Sequence, residues 1–120
     1  MQGYVDLYVL PVPKKIIPLY QRISSKMGKV MRSHGCLKYR EFIGDDLKSK
    51  LAMVSPLTLV KVKKGEVLVF AVTEFRSKAH RDQVLKKVMS DARVKKMCSQ
   101  AMPFDHSRMV YGGFKTFVKA

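Results

Sequence analysis

The first residues that could do chemistry lie in the run Tyr4–Tyr8, where Asp6 is flanked along one strand face by aromatic side chains. A carboxylate among aromatic rings can have a raised pKa, and it can then act as a general base toward a bound molecule. The same carboxylate can instead form a buried structural ion pair with Arg81 or Arg108. Both interpretations stay open. Asp6 is therefore a catalytic candidate, and Tyr8 and Arg108 are candidates for ligand binding.

The second group is the triplet His80-Arg81-Asp82. It lies in the first turns of a predicted helix, where the helix dipole favours a neutral histidine and attracts an anion. His80 could therefore serve as an acid or base, and Arg81 could bind an acidic ligand. The alternative, which the sequence favours, is a structural capping and salt-bridge cluster. A kinase catalytic loop is excluded, because the glycine-rich loop, the strand lysine and the DFG motif are missing.

Glu41 is a further ligand-binding candidate, since it alternates with apolar residues in a predicted strand. Glu41, Glu74 and Tyr111 can share a sheet face with Asp6, although the sequence does not determine the strand register. The spacings typical of metal sites, phosphate loops and nucleophile elbows are absent from the sequence. We therefore expect no metal and no cofactor.

These candidates must be positioned by a central strand that leads directly into a helix. The stretch Val67–Phe75 is rich in β-branched and aromatic residues, which predicts a largely buried strand. Ser77 is well placed as the N-cap of the helix that follows. The apolar residues of that helix, up to Met89, recur on one face.

The first strand is predicted over Tyr4–Leu10, and its side chains alternate between two sets. The aliphatic set, with Val5, Leu7 and Val9, is expected to lie against helices. The set that contains Asp6 suits a cavity or a subunit interface better than a dry core. Two prolines, Pro11 and Pro13, are expected to end the strand.

The remaining elements follow from periodicity and turn residues. Apolar residues at intervals of three and four predict a helix that starts at Lys14 or later, tolerates Pro18 in its first turn and stops at Gly35. A second strand is predicted over Cys36–Ile43, and Leu47–Gly65 is predicted as a surface excursion with a short turn or edge strand. A short helix is expected over Ala92–Met97. The last strand is predicted over Arg108–Phe117 and contains Gly112-Gly113.

The resulting order is β-α-β-β-α-β, which is the ferredoxin-like α+β fold. It predicts a four-stranded antiparallel sheet with two helices on one face, formed by residues 1–120 as a single domain. The other sheet face is left bare and carries aromatic and apolar groups. Such a face is an expected interaction surface, and an isologous homodimer closes it most simply.

Composition narrows the class of protein. Hydrophobic residues make up 47% of the chain, which disfavours disorder, and no run reaches the about 20 apolar residues of a membrane span. The two cysteines, Cys36 and Cys98, lack CxxC spacing and are expected to be reduced thiols. The chain is expected to be cytoplasmic. The formal net charge of +15 allows contact with polyanions, but the sequence favours a basic surface that only confers solubility.

Four stretches closely resemble the YbaA-like proteins, a small bacterial family of unknown function: YVDLYVLPVPK (Tyr4–Lys14), GKVMRSHGCLKYREFIGDD (Gly28–Asp46), SKAHRDQVLKKVMSDAR (Ser77–Arg93) and MPFDHSRMVYGGF (Met102–Phe114). The resemblance covers nearly the whole chain except Leu47–Gly65. It implies a dimeric α+β barrel, in which two ferredoxin-like sheets face each other. Three positions depart from the family pattern: Met31 replaces a tryptophan, Ala92 a proline and Leu7 a glycine.

Three functions are compatible with this reading. The first is a homodimer that binds a small molecule between sheet and helices, in the manner of cofactor-independent enzymes of related barrels, an analogy of fold alone. The second is binding of RNA or another polyanion through the basic surface, although no RNA-binding motif is visible. The third is a structural or regulatory dimer without turnover. The sequence favours the first and leaves the reaction open.

Overall fold

The protein is described here from a computed structural model that covers residues 3–48, 54–98 and 105–120. Its strands are β1 (Tyr4–Pro13), β2 (Lys38–Ile43), β3 (Glu66–Phe75) and β4 (Val110–Lys115). Its α-helices are α1 (Ile17–Ser33), α2 (Pro56–Leu59), α3 (Lys78–Met89) and α4 (Ala92–Cys98), with 3₁₀ turns at Lys14–Ile16 and His106–Arg108. The strands form one antiparallel sheet in the order β2-β3-β1-β4. The predicted ferredoxin-like α+β fold is confirmed.

The prediction that Pro11 and Pro13 end the first strand was wrong, because β1 continues to Pro13 and stays paired with β3. The Lys14 N–H donates to the Gly65 carbonyl at 2.8 Å, so the amide groups of even-numbered residues point toward β3. Odd-numbered amides point the other way, toward β4. Pairing with β4 stops at Val9. The prolines therefore occupy positions where the sheet needs no donor.

The prediction that the aliphatic set of β1 faces the helices was also wrong. The set containing Asp6 faces them instead: Tyr4 packs against the core, Asp6 bonds to Arg81 of α3, and Tyr8 lines a cavity. The aliphatic residues lie on the opposite face; they are Val5, Leu7 and Val9. Alternation reveals two faces but not which one is covered. The position of Arg81 determines which face the helices cover, because Arg81 supplies the buried carboxylate with a partner.

The ends of the two long helices agree with the sequence signals. Pro18 lies in the first turn of α1, where backbone N–H groups have no helical partner. After α1 the chain turns at Gly35, whose φ of +108° suits glycine. At the start of α3, the Ser77 hydroxyl accepts the backbone N–H of His80 at 3.1 Å. These three positions set where each helix meets the sheet.

The core lies between the sheet and the helices, in two clusters. The larger cluster joins Phe75 of β3 to apolar residues of the helices, including Val30, Val84 and Val94. The smaller cluster joins Leu10 and Val12 of β1 to other residues, Tyr20 and Val69. The helices α1, α3 and α4 thus pack on one face of the sheet. None of the helices within the described ranges is both long and apolar enough to cross a membrane.

The middle segment was predicted to contain a short turn or an edge strand. Its described residues, 47–48 and 54–65, contain the one-turn helix α2, capped by Ser55, and no edge strand. The cap hydroxyl accepts the Leu57 N–H at 3.2 Å. Residues 49–53 of the predicted excursion lie outside the described ranges. A proline at the first helical turn and a serine before it are sequence signals for this short helix.

The sheet face opposite the helices, called the open face below, is largely apolar. Its apolar side chains, identified by the strand register, include Val5, Leu7, Val9, Phe42, Phe70, Val72, Val110 and Phe114. The same register also places charged residues on this face, among them Lys38, Arg40 and Glu74. Pro11 and Leu68 are buried at one end, whereas the rings of Phe42, Phe70 and Phe114 remain exposed. Phe42 and Phe70 stack with their centroids 5.1 Å apart. A patch of this kind typically marks a contact surface.

The contact between α1 and β2 depends on a glycine. A Cβ atom at Gly28 would lie 2.7 Å from Cδ1 of Tyr39. Gly28→Ala should therefore destabilise the protein, because overpacking costs about 1–3 kcal/mol and better helix propensity offsets only about 0.5–1 kcal/mol. Urea denaturation measures the difference. Ser25→Ala, at an exposed position of the same helix, should change the free energy of unfolding by less than about 0.5 kcal/mol. Equal stability of both variants would contradict this packing.

Candidate functional site

A cavity of about 270 Å³ lies between the helices and the inner face of the sheet. Most of its wall is apolar, with methionines and aliphatic side chains from α1, α3 and α4, among them Met27, Met31, Leu85, Val88 and Val94. Tyr8 and Ala71 form part of its floor on the sheet. A concave and largely apolar space with few polar groups is the usual form of a small-molecule site.

The most polar part of the wall is a carboxylate held by two phenols. Tyr20 of α1 donates to Glu41 Oε1 at 2.5 Å, and Tyr39 of β2 donates to Glu41 Oε2 at 2.8 Å. Burial, together with the adjacent Glu41 charge and hydrogen bond, raises the pKa of both phenols well above its ordinary value. Both hydroxyls therefore stay protonated and act as donors. We call these three residues the Glu41 cluster.

Thr73 also contributes to the wall, but its hydroxyl oxygen is buried rather than open to the cavity. Thr73 is 1% exposed, and its Oγ1 has no hydrogen-bond partner. A buried hydroxyl without a partner costs free energy. Thr73 pairs in register with Asp6, whose Oδ2 is likewise buried without a partner.

Asp6 is completely buried, and its Oδ1 accepts a hydrogen bond from Arg81 Nη1 at 2.7 Å. The same Nη1 lies 2.6 Å from the Tyr111 hydroxyl. The Arg81 guanidinium also stacks 5.1 Å from the Tyr4 ring centroid, and its Nε donates to Asp82 at 2.8 Å. Burial raises the pKa of Asp6, and the Arg81 charge offsets only part of that effect. Of the two arginines proposed as partners, the structure pairs Asp6 with Arg81.

His80 belongs to the junction between β3 and α3. Its Nδ1 accepts the backbone N–H of Arg76 at 2.9 Å, and its ring makes an edge contact with Phe75. Burial and the nearby charges of Arg76 and Lys87 lower the pKa of His80, so the ring is neutral at pH 7. His80 does not line the cavity. Its catalytic role stays a prediction, and the site proposed below does not include it.

Arg108 lies apart from Asp6. Its Nη1 and Nη2 donate to Glu66 at 2.7 and 2.6 Å, and its Nε donates to Asp105 at 3.0 Å. The paired hydrogen bonds from Arg108 lower the pKa of Glu66 to about 2. Such a bidentate pair joins the turn before β4 to the start of β3. The Arg108 guanidinium is therefore already bonded to carboxylates. Two other ligand-binding candidates from the sequence, Tyr8 and Glu41, line the cavity.

A larger open groove, with a volume of about 910 Å³, runs along α1 and β2 on the other side of the Glu41 cluster. Four residues line both spaces: Tyr20, Ser24, Tyr39 and Glu41. The groove also contains two cationic side chains, Lys29 and Arg32. In the part of the chain that the structure describes, no group of three or more His, Cys, Asp or Glu side chains could hold a metal ion.

Comparison with known proteins supports the resemblance seen in the sequence. A family described as "Protein of unknown function (DUF1428)" matches residues 3–106. The chain belongs to this family. It is 34% identical over 116 residues to the uncharacterized protein YbaA of Escherichia coli K12, covering 96% of the chain and 97% of the relative, and equally similar to YbaA of Shigella flexneri.

Solved structures share the fold at low sequence identity. The DUF1428 chain matches a dimeric ferredoxin-like protein from an uncultured marine organism, with a TM-score of 0.59, 11% identity and coverage of 98% and 96% of the two chains. It also matches Rv0793 from Mycobacterium tuberculosis, with a TM-score of 0.57, 13% identity and coverage of 100% and 99%. These likenesses establish the fold and carry no function.

Tyr20, Tyr39 and Thr73 were not among the sequence candidates for this DUF1428 protein. Tyr20 occupies an apolar position of the α1 repeat, and Tyr39 alternates with Glu41 along β2. A phenol at an otherwise aliphatic position was the available signal, because a buried tyrosine needs a partner for its hydroxyl. The partner itself depended on how α1 crosses β2.

The buried pair allows a direct stability test. Asp6→Ala should lower the free energy of unfolding by about 3–5 kcal/mol, because it leaves the Arg81 charge in a nearly buried position without a carboxylate. Chemical denaturation at pH 7 measures this loss. Asp82→Ala is the matched control: it removes the other carboxylate bonded to Arg81, but Asp82 is 54% exposed. It should cost less than about 1 kcal/mol, and equal losses would contradict the assignment.

Proposed function

We propose that this protein is a homodimer that binds a small molecule in the cavity between its sheet and its helices. The observation that carries the proposal is the largely apolar cavity of about 270 Å³, with the Glu41 carboxylate held by two phenols in its wall. A core whose only purpose is stability would fill such a space with side chains. A ligand that occupies it recovers the apolar contacts.

The polar groups of the cavity determine which hydrogen-bonding groups the ligand should carry. The Glu41 carboxylate can accept a hydrogen bond from a ligand donor that displaces or joins the phenols of Tyr20 and Tyr39. The remaining wall is aliphatic, aromatic or thioether. A cavity slightly smaller than the about 300–1,000 Å³ of drug-sized sites suits a single ring or a short chain.

The dimer is supported by the open face. Exposed aromatic residues from three strands lie on this face, and Phe42 and Phe70 stack on each other. A second copy is the occupant that we propose, because the surface is apolar in its middle and a twofold axis makes it self-complementary. One of the solved structures with a similar fold is described as a dimeric ferredoxin-like protein. Two sheets facing each other would form the α+β barrel.

The dimer can be tested by charging the centre of the open face. Phe70→Lys should convert the protein to a monomer at micromolar concentration, because two lysines would face each other in an apolar contact. Sedimentation velocity measures the mass. Leu19→Lys is the matched control, since Leu19 on α1 is 39% exposed and Phe70 is 38% exposed. Leu19→Lys should leave the dimer intact, and a wild-type monomer would overturn the proposal.

Ligand binding can be tested by filling the cavity. Ala71 lies on the cavity floor opposite Tyr8 and Glu41, so Ala71→Leu should occupy the space of the ligand. In a thermal-shift screen of small metabolites, a ligand at a concentration about 100-fold above its Kd should add about 2.7 kcal/mol of stability. That gain corresponds to a rise of about 10 °C in Tm. Compounds that stabilise the wild type should fail to stabilise Ala71→Leu.

The control for the filling variant is Ala92→Leu, which adds the same atoms at an exposed position of α4. It should respond to every compound as the wild type does. If the same compounds stabilised Ala71→Leu equally, they would bind elsewhere and the cavity would not be the site. Turnover of a ligand, binding of RNA and a cytoplasmic location stay predictions, because no contact described above favours them.

A further inference from the structure

We propose that the ligand is an amphipathic anion, with its apolar part in the inner cavity and its acidic group in the groove beside Lys29 and Arg32. This inference rests on the proposed function, because it assigns the ligand class of the same site. It follows from the arrangement of the two spaces around the Glu41 cluster.

The inner cavity and the groove meet at one shared boundary. Tyr20, Ser24, Tyr39 and Glu41 line both spaces. The boundary consists of side chains that reach across from α1 to β2 and meet in two hydrogen bonds to Glu41. A molecule that occupies both spaces must displace these hydrogen-bonded side chains, which change rotamer without any change in the sheet register. In the proposed binding mode the ligand spans this boundary.

The two spaces differ in chemistry. The inner wall is supplied largely by thioether and aliphatic groups, such as Met27, Met31 and Val88, which favour an apolar group. The groove combines apolar residues, such as Ile17 and Ile43, with hydroxyl and amide side chains and with two cations, Lys29 and Arg32. A molecule that spans the boundary thus meets an apolar environment at one end and hydrogen-bond donors at the other.

The charge of the groove favours an anion rather than a neutral polar group. Glu41 is the one carboxylate among the residues that line the groove, and both of its oxygens already accept hydrogen bonds from phenols. Lys29 and Arg32 lie near the C-terminal end of α1. Tyr39 contacts α1 at Gly28, so the two cations lie beyond this contact and Tyr20 lies before it along the helix. An acidic group beside them would be separated from Glu41 by the Tyr39 ring.

The size of the inner cavity limits the apolar part. A space of about 270 Å³ accommodates one ring or a chain of roughly eight carbons, since it falls just under the range for drug-sized ligands. The acidic group stays in contact with water in the open groove. Its attraction to each cation is therefore modest and screened by salt.

Isothermal titration calorimetry with matched eight-carbon probes tests the proposal. Octanoate should bind the wild-type protein more tightly than octan-1-ol, and octyl phosphate distinguishes a phosphate head group from a carboxylate. Arg32→Gln and Lys29→Gln should each weaken octanoate binding roughly two- to fivefold, and the double variant should do so roughly tenfold. None of these variants should change the affinity for octan-1-ol.

The matched control is Lys26→Gln, which removes a cation from the same helix outside both linings. It should leave octanoate binding unchanged, and an equal loss would indicate non-specific attraction to a basic protein. Ala71→Leu should abolish octanoate binding, and continued binding would mean that the chain does not enter the cavity. Either result overturns the proposal.

The remaining outcomes separate the two proposals. Equal affinity for octanoate and octan-1-ol, both lost in Ala71→Leu, would refute the anion and leave the cavity as a binding site. If neither probe binds and the metabolite screen finds no compound that Ala71→Leu excludes, the proposed function fails and the inference fails with it.

Discussion

The buried ion pair between Asp6 and Arg81 is the interaction on which the arrangement of the molecule depends. A carboxylate with no exposed surface is costly unless a charged donor lies beside it, and Arg81 of α3 is that donor at 2.7 Å. A shift of β1 by one residue would turn every one of its side chains to the other face and would separate the pair. The pair therefore selects which face of β1 the helices cover.

Two properties of the protein follow from that choice. The inner face receives side chains that combine rings with polar ends, such as Tyr4, Tyr8 and Tyr39, and these do not fill the space as tightly as aliphatic residues would. A cavity remains, and the Glu41 cluster closes it toward the groove. The outer face receives the aliphatic residues of β1 and the exposed rings of the other strands, which leaves an apolar surface for a second copy.

The sequence was sufficient for the elements and their order, because these depend on local signals. Ser77, Pro18 and Gly35 each mark a helix end through a backbone requirement that is readable from residue type alone. The orientation of β1 was not readable, since both of its faces carry apolar atoms and the deciding partner is 75 residues away. Pro11 and Pro13 misled for a similar reason: their effect depends on where β4 stops pairing with β1.

The candidate site was predicted only in part. Tyr8 and Glu41 line the cavity and Asp6 lies beside it, but Arg108 is bonded to Glu66 and His80 to backbone groups at the helix start. Tyr20 and Thr73 entered the site through tertiary contacts that no spacing encodes. The +15 charge gave no guide to the site either, because lysines and arginines occur on every helix except α2.

The central claim is that the inner face of the sheet encloses an accessible cavity, and xenon binding followed by methionine methyl NMR tests it most directly. Apolar cavities of this size take up xenon. The account predicts that xenon shifts the methyl signals of the methionines in the wall, which are Met27, Met31, Met89 and Met109. Met97 packs against the core outside this lining and should shift much less. Equal shifts at Met97 and the wall methionines, or no shift at all, would contradict the account.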